Sequence, residues 1–356
     1  MPLQLTVDGE RWRAHLRRIA EAQPGLVPVA KGNGYGFGLG RLARKAQWLS
    51  DQGIGGEALA VGTYEELSEV ADRYAGDLLV LTPWRPFADP GTLAAKHAHR
   101  VVHTVGRLQD LETLLALQPS ARLVLERLTS MQRHGLSGED LRTAIRRVSQ
   151  HPHARLEGVA AHLPIAGQEG APHLAEVEQV LAEAGATIGQ VWVSHLTGEE
   201  LNDLRAAHPD VRVRPRIGTD LWLGDRAALT VTSTVLDVHP VAKGKAFGYR
   251  GRSAPKDGHL LVVSGGTAHG IGLESPMSGS GLRDRAATVA RGGLDAVGRV
   301  RSPFWVDGEQ RLFAEPPHMQ ASMLFLPADA AVPDVGDRVD ARVRYTATTF
   351  DRVELT

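Results

Sequence analysis

The chain has 356 residues, 42% of them hydrophobic, no cysteine and a formal net charge of -1. That length supports two domains with separate cores, while the balanced charge leaves no electrostatic footprint for nucleic acid or an anionic membrane. The missing cysteine excludes a disulfide framework and thiolate chemistry, no apolar run approaches the roughly 20 residues that span a bilayer, and with no signal-peptide core at the start the expectation is a cytoplasmic globular protein.

Short apolar runs recur with helical segments between them. Strands are predicted near residues 26–30, 58–61, 78–81, 100–104, 122–125, 156–162, 191–194 and 211–216. Between them, segments 63–75, 107–117, 137–149 and 174–184 space Leu, Val and Ala by three to four, as amphipathic helices do. Eight strands alternating with helices predict an α/β fold, an eight-stranded (β/α) barrel over residues 1–226. From about Ala227 the texture changes. Alternating runs at 229–238, 260–264, 320–326 and 338–345 lie between Gly- and Pro-rich turns, which predicts a mostly β C-terminal domain over residues 227–356.

Lys31 ends the first apolar run and opens Lys31-Gly32-Asn33-Gly34-Tyr35-Gly36-Phe37-Gly38. An amine at the C-terminal end of a buried strand is partly desolvated, which disfavours the ammonium and frees the amine to attack an aldehyde. The glycines allow close approach of backbone and ligand, and Tyr35 brings a hydroxyl to it. Taken alone, the pattern is a weak signal, and an ordinary solvated turn lysine fits it better.

The string VAKGNGYGFG, set in this strand–helix alternation, resembles the N-terminal barrel of alanine racemases and other fold-type III pyridoxal-phosphate enzymes. The resemblance implies that Lys31 holds pyridoxal 5'-phosphate as a Schiff base and that Tyr35 contacts its phosphate. It places Arg133 near the phenolic oxygen of the cofactor, with Glu126 standing where some racemases carry a carbamylated lysine, so that a charge-assisted Glu126–Arg133 pair is expected. His162, ending its strand, resembles the histidine against the pyridine ring. Arg216 resembles the arginine on the pyridine nitrogen, with Arg214 a neighbouring rival. Gly218 and Thr219, joined by Ser194 or His195, resemble the phosphate cradle. An arginine keeps its proton, so the ring nitrogen accepts a hydrogen bond and stays unprotonated, a poorer electron sink that restrains transamination.

The pattern breaks in the C-terminal third. Where the family carries a Gly-Tyr-Ala-Asp-Gly motif, whose tyrosine is the second base, this chain reads Gly266-Thr267-Ala268-His269-Gly270. A threonine hydroxyl is a far weaker general base than a tuned tyrosine. The family's Cys-Met-Asp looks like His318-Met319-Gln320 here, and no tyrosine follows Tyr345. His269 and His318 are therefore the candidate proton carriers, since an imidazole titrates near working pH. The resemblance implies an amino-acid racemase acting by Cα proton abstraction on a free amino acid, as a head-to-tail homodimer in which each C-terminal domain completes the partner's site. It calls for no metal. A non-racemising decarboxylase or lyase, or a pyridoxal-phosphate-binding protein without turnover, remains the alternative.

Overall fold

The structure, a computed structural model, describes residues 2–88, 93–165, 173–273 and 300–356. The chain opens with β1 (Leu3–Val7) and α1 (Gly9–Ala22). The eight expected barrel strands follow: β2 (Val27–Pro28), β3 (Ala58–Val61), β4 (Asp77–Val80), β5 (Val101–Val105), β6 (Arg122–Arg127), β7 (Arg155–His162), β8 (Gln190–Ser194) and β9 (Arg212–Ile217). Around them run α2 (Leu39–Asp51), α3 (Leu67–Val70), α4 (Leu108–Leu117), α5 (Gly138–Ser149), α6 (His173–Ala184), α7 (Gly198–Ala207) and α8 (Thr219–Leu223). No described helix is long and apolar enough to cross a membrane.

The barrel strands are parallel, in the order β2-β9-β8-β7-β6-β5-β4-β3, and a bridge between Val29 and Ala60 closes the ring. Side chains alternate across a strand, so Val27, Val29, Ala58, Ala60, Leu79, Val102, Val124, Ala160 and Trp192 gather in one buried cluster. The intervening residues, such as Leu59, Leu78 and Val80, are buried as well. Burial on both faces is why these strands read as continuous apolar runs. Two of the helices start where their sequence says they should. Ser137 accepts from the Asp140 amide at the head of α5, and Thr197 and Glu200 form a reciprocal capping box on α7.

The expected helix at 63–75 shrinks to the single turn of α3. The Glu66 carboxylate accepts from the backbone amides of Gly62 (2.6 Å), Thr63 (3.3 Å) and Gly32 (2.7 Å). A side chain that takes those amides organises a loop instead of a first helical turn.

The chain divides into two units, and the division differs from a cut at 226/227. Residues up to Trp12 and Tyr35–Phe37 group with Arg226–Thr356. The reason lies in β1, whose Leu3, Leu5 and Val7 are fully buried: it pairs antiparallel with β10 (Leu229–Val241) and parallel with the last strand of the chain. After β10 come β11 (Ala246–Phe247), β12 (Arg252–Ser253), β13 (Gly258–Ser264), β14 (Arg301–Val306), β15 (Glu309–Phe313), β16 (Ala321–Pro327), β17 (Arg338–Ala341) and that last strand, β18 (Arg352–Leu355). β10 pairs with both β13 and β17, so β13, β16, β15, β14, β17 and β10 form a closed antiparallel ring, to which β1 and β18 add an outer pair. The expected strand 338–345 stops at Ala341. Tyr345 is instead held in the turn beyond, 6.1 Å from the Phe350 ring and under the Arg226 guanidinium at 4.8 Å.

Candidate active site

In a (β/α) barrel the reactive groups stand at the C-terminal ends of the strands. β2 delivers Lys31 there. Ala30 donates its amide to Ala60 on the neighbouring β3 (2.8 Å), and the chain then turns through Gly32 and Gly34, both at positive φ. Gly34 has no room for a side chain, because a Cβ would lie 2.6 Å from the Leu39 amide nitrogen. Solvent reaches Lys31, yet the protein around its amine pushes its pKa below the ordinary lysine value. The Arg133 and Arg216 guanidinium charges push it further, while Glu66 opposes them.

Arg216, on β9, is buried. It donates from Nη2 to the Ala161 carbonyl at 3.0 Å, whereas its Nε has no partner among the described residues. The rival Arg214 points to the other end of the barrel, where it lies 4.6 Å over the Trp192 ring and 3.3 Å from Glu57. The pair lies two positions apart on the strand, so they share a face but stand at different depths.

Glu126, on β6, is buried, and its Oε2 is also unpartnered among the described residues. Burial raises its pKa against the lowering influence of Arg216 and then Arg133. The expected Glu126–Arg133 pair does not form. No hydrogen bond or ion pair joins them, and the Arg133 side chain is exposed on the loop after β6. Six residues of turning chain separate the strand position from the loop position, which puts the guanidinium beside Lys31 as a field and not on the carboxylate as a partner.

His162 ends β7 and shares a 2.8 Å hydrogen bond between its Nδ1 and the Ser194 hydroxyl on β8. Burial, then Arg216, Arg133, His195 and Lys31, hold its pKa down at about 3, so the ring is neutral at working pH. The His195 ring meets it edge-on at 5.3 Å, with its own backbone in the left-handed region. Gly218 caps the head of α8 and Thr219 begins it. Leading amides of a helix have no intrahelical acceptor. Lys31, Arg133, His162, Ser194, His195 and Arg216 thus share one barrel mouth through contacts and fields. Two residues escaped the sequence reading. Glu66 gave no signal beyond its place in a helical pattern. Trp222 of α8 donates its indole N–H to the Val29 carbonyl at 2.7 Å.

The C-terminal unit carries the other candidates. His269 is buried and committed at both ring nitrogens. Its Nδ1 accepts from the Gly266 amide (3.2 Å) and its Nε2 donates to Asp351 (3.0 Å). His318 donates from Nε2 to the buried carboxylate of Glu315 at 2.7 Å. The Tyr249 ring lies 4.7 Å from it, and the Thr267 amide donates to the His318 carbonyl at 2.8 Å. Tyr249, Thr267, Glu315, His318 and Gln320 line a cleft of about 560 Å³. Glu315 also went unread; its signal is Glu315-Pro316-Pro317-His318, in which two prolines fix the backbone between carboxylate and imidazole.

A parallel (β/α) barrel with a strand-end lysine, joined to an antiparallel β unit, defines the fold class of the fold-type III pyridoxal-phosphate enzymes. The model of the alanine racemase N-terminal domain matches residues 7–210, and the chain belongs to the alanine racemase family. An alanine racemase from Nitratidesulfovibrio vulgaris strain Miyazaki F is 26% identical over 309 residues, covering 81% of this chain and 79% of that protein. Among solved structures, the alanine racemase of Bartonella henselae with covalently bound pyridoxal phosphate superposes with a TM-score of 0.68 at 18% identity, over 97% of this chain and 91% of that one. The histidine racemase of Leuconostoc mesenteroides subsp. sake superposes with a TM-score of 0.64 at 19% identity, over 100% of this chain and 97% of that one.

Proposed function

We propose that this protein is a pyridoxal-phosphate-dependent amino-acid racemase that moves the Cα proton of a free amino acid from one face to the other. The observation that carries this reading is Arg216, a buried guanidinium at the same barrel mouth as Lys31, whose Nε has no protein acceptor among the described residues. A buried charged donor left unpaired is costly, and a ring nitrogen of the cofactor is an acceptor that fits it. The rest of the donor set fits the same group. Lys31 is the amine for its aldehyde, Arg133 the cation for its phenolic oxygen, and Ser194, Gly218 and Thr219 the donors for its phosphate.

When bound, the cofactor supplies an electron sink that acidifies the substrate Cα–H bond. Lys31 takes or returns the proton on its own face, and its lowered pKa keeps a larger share of the amine free for that work. Arg216 keeps its own proton and so leaves the ring nitrogen unprotonated, which favours clean proton return over transamination. His162 stays neutral and packs without adding charge. Racemisation needs a second proton carrier on the opposite face. With Thr267 in the family's tyrosine position, that carrier is one of the two candidates, His269 or His318. Thr267 and Gln320 also change the wall of the substrate cleft, so alanine is not assumed as substrate. The C-terminal unit supplies this face to a partner's barrel in a head-to-tail homodimer.

The test is borohydride reduction of protein incubated with pyridoxal phosphate, followed by peptide mapping. A reduced adduct on Lys31 supports the reading. A protein that takes up no cofactor, or reduces onto another lysine, removes it.

A further inference from the structure

We infer that His318 is the proton carrier on the second face and that Glu315 positions it. The inference rests on the racemase reading above and chooses between its two imidazoles.

His269 has no ring nitrogen to spare. Gly266 donates to one, and Asp351 accepts from the other. To carry a proton it would first break a hydrogen bond that holds its own turn. His318 is arranged differently. Only Nε2 is engaged, on Glu315, and the ring is 30% exposed to the cleft while the carboxylate behind it is 2% exposed. Nδ1 meets no hydrogen-bonding partner among the described residues. An imidazole anchored at one nitrogen and open at the other is the arrangement of an oriented general acid–base.

Glu315 is built to stay in place. Its second oxygen accepts from the Tyr249 amide at 2.9 Å. Gly248, at φ 70, lies so close that a Cβ there would stand 2.2 Å from the carboxylate, so the glycine is what admits it. Pro316 and Pro317 fix the backbone between Glu315 and His318. Thr267 lines the same cleft, its backbone N–H donating a hydrogen bond to the His318 carbonyl. The charged or titratable neighbours of the cleft are Tyr249, Arg250 and Glu315.

The proton balance is simple. The Cα–H bond breaks to the Lys31 amine, which gains the proton, and the electron pair stays on the cofactor-bound substrate. The N–H at His318 Nδ1 then breaks, a new C–H bond forms on the opposite face, and the neutral imidazole remains against the Glu315 carboxylate. The reverse reaction exchanges the two roles.

The test follows both enantiomers of the proteinogenic amino acids in deuterium oxide with the cofactor-loaded protein, reading Cα exchange and inversion separately. In wild type both occur for at least one amino acid. In His318→Asn, inversion falls by about 100-fold or more while exchange of one enantiomer, through Lys31, persists. Added imidazole restores inversion in His318→Gly. Glu315→Gln lowers inversion by about 10-fold, again with exchange retained. In the cofactor-free protein, nitrogen NMR finds the neutral His318 ring protonated at Nε2, and Glu315→Ala mixes the two tautomers. Equal inversion in wild type and His318→Asn overturns the inference and leaves the racemase reading standing. A wild-type protein that exchanges no amino acid overturns both.

Discussion

The indole nitrogen of Trp222 lies 2.7 Å from the carbonyl oxygen of Val29, two residues before Lys31. The bond ties α8, which begins at the expected phosphate cradle, to the strand that carries the reactive amine. β2 itself pairs over only two residues, so the lysine's backbone depends on this clamp, on the Val29–Ala60 bridge and on Glu66. Replacing Trp222 by Phe keeps the packing but leaves a buried carbonyl without a donor, at a cost of about 1–3 kcal/mol. Denaturant unfolding should show that loss, together with slower trapping of pyridoxal phosphate on Lys31. Unchanged stability and trapping would show that the strand is held without it.

The charges around Lys31 predict opposite shifts for two neutral substitutions. Arg133 lowers the lysine pKa and Glu66 raises it. Arg133→Gln should therefore move the Lys31 titration up, and Glu66→Gln should move it down. The rate of Lys31 acetylation against pH in cofactor-free protein, followed by mass spectrometry, reads both. Shifts of the same sign would contradict the arrangement.

His162 makes the cofactor-free protein acid-sensitive. Its pKa is about 3 in the folded state against the ordinary value of 6.5, so the unfolded chain binds the extra proton first. The stability this group contributes is complete above pH 6.5 and is lost as pH falls toward the folded value. The buried His103, held at about 4, acts in the same direction. His162→Asn keeps a partner for Ser194 and does not titrate, so the fall in urea midpoint between about pH 7 and about pH 5 should become shallower. An unchanged fall would assign the acid sensitivity elsewhere.

A shared site predicts complementation. Lys31→Ala and His318→Asn chains each lack one face of the reaction. Mixed in equal amounts and allowed to exchange subunits, half of a head-to-tail dimer population is hybrid, and one of the two sites in each hybrid is intact. Racemase activity should then recover to about one quarter of wild type. No recovery, with subunit exchange verified by mass, would place both faces on one chain.

The barrel was legible because strands buried on both faces leave continuous apolar runs, and because Lys31, His162 and Arg216 stand at the ends of such runs. Distance along the chain hid the rest. β1 alternates plainly, but only its pairing with β10 and β18 assigns it to the C-terminal unit. The hairpin of β14 and β15 did carry a local signal, Asp307-Gly308, with both residues at positive φ as a two-residue turn demands. His269 looked free because its partner Asp351 lies 82 residues away. The Glu126–Arg133 pair was expected from the family resemblance, and the loop geometry does not make it.

The amide of Thr267 is bonded to the carbonyl of His318, so these two positions form a single design unit. A tyrosine at 267 would enter a cleft whose imidazole is already anchored from behind. A cysteine at 318 would leave the buried Glu315 carboxylate with the Tyr249 amide and without its imidazole donor. Changes at 267 and 318 should therefore not be additive, because each alters the surroundings in which the other acts.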